Sequence, residues 1–381
     1  MKVLYDSRAF LEPVGGVSRY FVELIKHLPL GVQWDIAAAA TNNRYLQAAP
    51  FNVPEAEYSF RHFLPGVCFR GKSIVYSALS RLGMFRSMEL LNARCFSEAL
   101  KRDDFDVLHL TGPHGCSNEW IKYGGKAKIV ITIHDLIPDK MWSGPVGARV
   151  RRQRKRDLSM SDAIIAVSEY TKQDLMELYG VEEKKITVVH HGCDIKESVC
   201  EEGAHDSVMD GRFVLYVGKR GGYKNSDFFL RNMAPLLRDD PDLKIVMTDK
   251  PLDETEMQLC KKCGIYDSVE ARMFDDSELR SLYAHAECFV YPSKYEGFGI
   301  PVLEAFAAGC PAVLARSTCF PEVGGDAALY FNPDDGEEMR SAIREAMGVK
   351  RTELKRRGRE RVKLFSWEKC AHETVAVYSA I

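Results

Sequence analysis

Two carboxylates, Glu296 and Glu304, stand on either side of a glycine-rich loop in the segment Tyr291–Pro311, YPSKYEGFGIPVLEAFAAGCP. Between them lie Gly297 and Gly299, which let a backbone come close to a ligand. The segment reads as the end of a strand (ECFVYPS), a tight loop holding Glu296, and then a helix. Pro301 suits the first helical position, Glu304 falls in the first turns, and Gly309 suits the stop. Carboxylates accept hydrogen bonds from sugar hydroxyls, and the unpaired N–H groups of a helix N-terminus hold phosphate oxygens. A nucleotide-sugar carries both kinds of group.

A second cluster is cationic. Gly218-Lys219-Arg220-Gly221-Gly222-Tyr223-Lys224-Asn225 follows the apolar run FVLYVG. Arginine grips a diphosphate by forked hydrogen bonds and lysine acts on it as a point charge. Negative charge builds on a diphosphate as it leaves, and cations fixed in advance stabilise that charge more than the ground state. A solvated loop is the plain alternative. The position after a strand's C-terminal end favours ligand binding. Gly15-Gly16 lies after the first strand, at the first crossover, with Val17 opening a helix; it is not a GxGxxG and suits a plain turn equally well. His134 ends the run IVITIH, where it can meet a sugar hydroxyl or serve the structure alone. His109 and His114 in HLTGPH are further candidates. His190-His191 makes a poor metal pair, because adjacent residues on a strand face opposite sides. Asp103-Asp104 and Asp239-Asp240 read as helix ends or turns rather than a metal-binding set, so no metal and no cofactor are expected.

The elements that must position these residues alternate. Strand candidates are KVLYD (2–6), DVLHL (106–110), IVITIH (129–134), AIIAVS (163–168), ITVVHHG (186–192), FVLYVG (213–218), LKIVMT (243–248), VEARMF (269–274), CFVYPS (288–293) and AVLA (312–315). Helical patterns fall between them, as in Val17, Tyr20, Phe21, Leu24, Ile25 and Leu28. That rhythm argues for α/β architecture with parallel sheets and helical crossovers. It breaks once, in the polar and acidic stretch around 195–211, which divides the chain into residues 1–195, a linker 196–211, and residues 212–365. A final helix at 366–381 begins at the N-cap Ser366 and is expected to pack back on the first domain.

Totals bound the class. With 381 residues and 46% apolar content, two globular domains are the default. A net charge of −2 argues against general nucleic-acid binding. No window reaches eighteen consecutive apolar residues, and MKVLYDSRAF meets charge at once, so neither a membrane-spanning helix nor a signal peptide is expected. The 11 cysteines scatter through apolar segments; Cys260 and Cys263 have CxxC spacing but no second pair, and read as ordinary helix cysteines of a cytoplasmic, reduced protein. Basic residues gather at Arg61, Arg70, Lys72, Arg81, Arg86, Arg94, Lys101 and Arg102, against Glu89 and Glu98 alone, and again from Arg149 to Arg156. Solvated helix faces explain such runs; so does attraction to anionic headgroups at the inner face of a membrane, or to a phosphate-bearing acceptor.

Taken together, these residues resemble the retaining GT-B glycosyltransferases of family 4, and the resemblance runs over nearly the whole chain. Glu296 and Glu304 match the family's E-x7-E, set in the S-x-x-E-G-F-G-x-P frame from Ser293. Val167-Ser168-Glu169, His190–Asp194 and Ser317–Ala327 fit its remaining segments. The resemblance implies two Rossmann-like domains whose parallel sheets face a central cleft. It implies that Arg220 and Lys224 bind the diphosphate, with Gly15, Gly16, Gly218 and Lys219 close to the donor phosphates. Glu304 would hold the ribose. Glu296 and His134 would contact the transferred sugar beside the backbone of Phe298, Gly299 and Ile300. Because Lys219 precedes Arg220, the family's arginine role falls to one of the two, and Arg220 is expected to take it.

The implied reaction moves a hexose from a nucleoside diphosphate sugar to a hydroxyl of a glycan or polyprenyl-linked acceptor, as in surface polysaccharide assembly. GDP-mannose is the donor expected from the mannosyltransferase-like look of GKRGGYKN and TIHDLIP. Two rival classes share such a fold. A sugar-nucleotide epimerase would release product without an acceptor. A non-catalytic scaffold would bind donor without turnover, and intact Lys224, Glu296 and Glu304 speak against it. A dehydrogenase lacks the expected GxGxxG with a following acid.

Overall fold

The computed structural model describes residues 1–65, 67–69, 71–82, 84, 87–112, 120, 122–123, 125–193, 209 and 211–381. They form two units. One comprises Met1–Val167, Lys172–Val189 and Glu368–Ile381; the other comprises Ser168–Thr171 and His190–Trp367. Most of the 196–211 linker, together with Asp194, His114, Arg70 and Arg86, lies outside the described residues.

The first unit is built on β1 (Lys2–Tyr5), β2 (Gln33–Ile36), β3 (Val107–Leu110), β4 (Lys128–Ile133), β5 (Ala163–Ala166) and β6 (Ile186–Val188). They pair in parallel in the order β2-β1-β3-β4-β5-β6, with Leu108 opposite Ile129 and Ile131 opposite Ile164. Every residue of β3 and β5, and all of β4 beyond Lys128, is buried, as a sheet covered on both faces requires. The helix Gly16–Lys26 buries Tyr20, Phe21, Leu24 and Ile25 along one stripe. The chain runs from β1 outward to β2 and then returns to the other side of β1 for β3, so a crevice opens beyond the carboxyl ends of β1 and β3. Asp6 fixes that point by accepting the Thr111 N–H and hydroxyl, both at 2.8 Å.

The helix Trp367–Ser379 ends in this unit from Glu368 onward. Its Tyr378 hydroxyl lies 3.1 Å from that of Tyr5 and 2.5 Å from Nδ1 of His109, whose Nε2 lies 2.8 Å from the Thr132 hydroxyl. His109 is therefore a fully buried core residue with both nitrogens engaged, not a ligand-facing one. The basic run 149–156 is also not a uniformly solvated face. Arg154 is buried on Asp139 at 2.8 Å, and Arg151 donates to the carbonyls of Asp139 and Trp142. No helix among the described residues is long and apolar enough to cross a membrane.

The second unit repeats the plan with β7 (Arg212–Tyr216), β8 (Leu243–Met247), β9 (Val269–Ala271), β10 (Cys288–Tyr291), β11 (Ala312–Ala315) and β12 (Ala328–Phe331), ordered β12-β11-β10-β7-β8-β9 and all parallel. Here β7 and β10 are neighbours, with Phe289 opposite Leu215. Strands are added outward to one side of β7 and then, from β10 on, to its other side, so the loops that follow these two parallel strands meet at this unit's crevice.

Several strands end earlier than their apolar runs. β6 stops at Val188, so His190 and His191 are loop residues. Both rings pack on the same Phe298, with centroids 5.8 and 4.6 Å away, so facing opposite sides of a strand is not what sets their surroundings. β2 (QWDI) carries no fully apolar run because it is a sheet edge, buried only in part, whereas β12 (ALYF), an edge of the second sheet, is apolar throughout although its two middle residues are only partly buried.

Candidate functional site

The loop after β7 holds its shape through backbone conformation and one arginine. Gly218, Gly221 and Gly222 have φ of +117°, +92° and +54°, and Asn225 has +58°, all in the left-handed region. The Tyr216 hydroxyl donates to the carbonyls of Lys219 (3.1 Å) and Lys224 (3.3 Å), bridging the loop's two ends. Lys219 is exposed. Arg220 turns the other way: its side chain is 1% exposed and lies on both oxygens of Glu256. Lys224 reaches across to the β10 loop.

In that second loop, three successive carbonyls are occupied. The Cys319 thiol donates to the carbonyls of Glu296 (3.3 Å) and Phe298 (3.1 Å). The Ser168 and Thr171 hydroxyls donate to that of Gly297 at 2.7 and 3.3 Å. In a trans peptide the N–H of the next residue points opposite to the carbonyl. The N–H groups of Gly297, Phe298 and Gly299 are thus turned away from these donors. They and that of Ile300 meet no acceptor among the described residues. The helix Ile300–Ala307 continues directly, with Gly299 at φ +94° as its cap. A row of free N–H groups leading into a helix N-terminus is an anion cradle. The Phe298 ring itself is buried among His191 and Phe365, so only its backbone is offered.

Glu296 is buried, and its carboxylate accepts from Lys224 Nζ at 2.6 Å. The same ammonium donates to the Tyr291 hydroxyl at 3.0 Å. Burial works against the Lys224 charge, yet Tyr291 and Glu296 beside it hold the ammonium well above the ordinary lysine range. Burial first, and then Glu296, push the Tyr291 phenol well up, so the hydroxyl stays neutral. The Glu296 N–H is held by the Thr318 hydroxyl at 3.1 Å. Thr318 has φ +44°, a strained setting for a β-branched residue. Glu304 accepts from the Tyr283 hydroxyl at 3.1 Å.

The structure thus brings Gly218, Lys219, Lys224, Glu296, Phe298 and Gly299 to loops, and Ile300 and Glu304 to the helix that follows, in one unit. Gly15, Gly16 and His134 belong to the other unit. Gly16 opens its helix, with nothing within 4 Å of where a Cβ would be. His134 follows β4 and packs edge-on against Tyr20, ring centroids 4.7 Å apart. Burial, then the Arg154 charge, lowers it to about 3, so its ring is neutral. Nothing in the sequence singles out Tyr291, Tyr283 or Glu256, nor, within the segment Ser317–Ala327, the individual side chains of Thr318 and Cys319. A hydroxyl, carboxylate or thiol with no periodicity of its own gives no local signal until its partner is known. Among the described residues, no group of three or more His, Cys, Asp or Glu could hold a metal ion.

Comparison with known proteins finds matches to two family models that together run over most of the chain. The family model described as glycosyl transferases group 1 matches residues 201–362, and that described as Glycosyltransferase Family 4 matches residues 14–197. The MMP α-(1→4)-mannosyltransferase of Mycolicibacterium hassiacum is 30% identical over 301 residues, covering 73% of this chain and 71% of that protein. The O-antigen chain mannosyltransferase B of Escherichia coli is 26% identical over the full length of both. Among solved structures, HepE of Anabaena in complex with UDP superposes with a TM-score of 0.73 over the whole of both chains at 14% identity.

Proposed function

The chain belongs to the group 1, family 4 glycosyltransferases, and we propose that it moves mannose from GDP-mannose to a hydroxyl of a glycan or lipid-linked acceptor, with retention at the anomeric carbon. The observation that carries this reading is the row of free N–H groups from Gly297 to Ile300, which shares the crevice of β7 and β10 with Lys224 and Glu296. Its N–H donors and its ammonium suit the two phosphates of a nucleoside diphosphate. Glu304 accepts from the ribose hydroxyls and Glu296 from those of the sugar. Mannose and polysaccharide assembly are supported by the names of the two relatives.

In this reading the bond between the anomeric carbon and the diphosphate oxygen breaks, and the acceptor oxygen bonds to that carbon from the same face. The acceptor's proton passes to the departing phosphate. Lys224 and the loop N–H groups are in place before the charge develops, so they stabilise the transition state more than the bound donor. Charge on Lys224 is secured by Glu296, which keeps the ammonium protonated in a half-dry site.

A thermal-shift screen of GDP, UDP and their sugars tests the donor, because a ligand that binds only the folded state raises the melting temperature. GDP-mannose is expected to give the largest shift, and labelled mannose is expected to appear on acceptor. Lys224→Ala and Glu296→Ala, each still folded, are expected to lose transfer by a factor on the order of 100 or more. Near-normal turnover in both variants would overturn the reading, and an epimerised donor formed without acceptor would replace it.

A further inference from the structure

Three cations lie in the loop after β7, and the geometry separates their tasks. Arg220 makes four hydrogen bonds to protein acceptors. Nε donates to Glu256 Oε1 at 2.7 Å and an Nη2 hydrogen to Glu256 Oε2 at 3.1 Å. Nη1 donates to the Thr248 carbonyl at 2.8 Å, and Nη2 also to the Pro251 carbonyl at 2.9 Å. All three acceptors follow β8. Arg220 therefore ties the loop after β7 to the loop after β8.

Glu256 does not depend on Arg220 for its own position. It is the third residue of the helix Glu254–Cys263, whose N-cap Asp253 accepts the Glu256 N–H at 3.0 Å. In return the Glu256 carboxylate accepts the Asp253 N–H at 2.9 Å. That reciprocal capping box sets the carboxylate on the helix end before any arginine arrives. Both partners are buried, Arg220 at 1% and Glu256 at 9% side-chain exposure. An arginine that left this fork would strand a buried carboxylate. Lys219, one residue earlier, is exposed.

We propose that Glu256 is a positioning residue that keeps Arg220 as a brace of the loop, and that Lys219 is the cation which joins Lys224 on the diphosphate. The proposal rests on the reading of this site as one for a nucleoside diphosphate. The brace holds the Lys219–Lys224 loop at a set height over the Gly297–Ile300 amides. Arg220 shapes the site through the backbone and does not touch the ligand.

The experiment is isothermal titration of GDP and UDP, and of GMP and UMP, into the wild type, Lys219→Ala, Glu256→Gln and the double variant. With whichever diphosphate the wild type binds, Lys219→Ala is expected to weaken affinity about tenfold, or about 1.4 kcal/mol. The matching monophosphate is expected to change less than about threefold, a discrimination that mere loss of stability would not produce. Glu256→Gln is expected to weaken the diphosphate as well, and by much less when Lys219 is already alanine, because it acts through that lysine. Lys219 is exposed, so its variant keeps the test open if Glu256→Gln fails to fold. Unchanged diphosphate affinity in Lys219→Ala, or tighter binding in Glu256→Gln, overturns the proposal, since the ligand would then recruit Arg220. Failure of the wild type to bind either diphosphate is a different result, and it removes the donor reading itself.

Discussion

Lys224 and Glu296 answer to one another before any ligand arrives. Their side chains are 13% and 10% exposed, and each is the counter-charge that makes the other's burial tolerable. Removing one partner strands the other. Lys224→Met is expected to destabilise the protein by about 3 kcal/mol. Adding Glu296→Gln is expected to restore most of that loss, because two neutral groups of similar shape replace two charges. Transfer activity is expected to stay absent in the double variant. Denaturant melts with activity assays on the three proteins check this; a double variant no more stable than Lys224→Met would show that the pair is not coupled. The residue types at this site are readable in the chain, since lysine, glutamate and glycine in these loops already suggest a phosphate and a sugar. Their pairing is not. Lys224 and Glu296 are distant in sequence, and only the neighbouring of β7 and β10 brings them to 2.6 Å.

At the scale of the element, the loop from Tyr295 to Ile300 works because one side of it is tied down. Cys319, Ser168 and Thr171 take its carbonyls, Thr318 takes the Glu296 N–H, and Gly299 turns it into the helix Ile300–Ala307. Gly299 sits at φ +94°, and a Cβ there would lie 3.0 Å from a ring carbon of Phe320. Gly299→Ala is expected to cost about 1–2 kcal/mol from the left-handed backbone alone. Diphosphate affinity is expected to fall more steeply than stability, because the amide row moves with the turn. Parallel measurement of melting temperature and GDP or UDP titration decides it; an unchanged affinity would place the ligand elsewhere. Elements buried on both faces, such as β4 and β5, are evident in sequence as continuous apolar runs. The edge strand β2 is not, because partial exposure permits polar residues and erases the pattern.

For the molecule as a whole, two histidines that burial pulls down, His109 and His134, contribute to the acid response. Burial first, and then the neighbouring His134, pull His109 down to about 3 in the folded state, against an unfolded value near 6.5. The unfolded chain then binds the proton more readily between these values. Stability from this group is fully present above about pH 6.5 and declines as pH falls toward 3, at up to roughly 1.4 kcal/mol per pH unit. His109→Gln is expected to flatten that slope while lowering stability at pH 7, since the glutamine must replace contacts to Tyr378 and Thr132. Chemical denaturation between pH 4 and pH 8 tests the sign; a variant as acid-sensitive as the wild type would move the effect to other groups.

The chain by itself determined the kind of molecule this is. Alternating apolar runs and helical stripes require parallel α/β units, and the spacing of Glu296, Glu304 and the glycines between them suggests a ligand at a helix end whichever way the sheets are ordered. Tertiary structure decided the tasks of individual residues. Strand order put the Lys224 and Glu296 loops side by side, drew Arg220 onto Glu256 instead of leaving it in solvent, and buried His109 under Tyr378 of the last helix. The reason is that local sequence fixes backbone preference and burial pattern. Which charge finds which partner depends on the distance between residues far apart in the chain, and packing alone sets that distance.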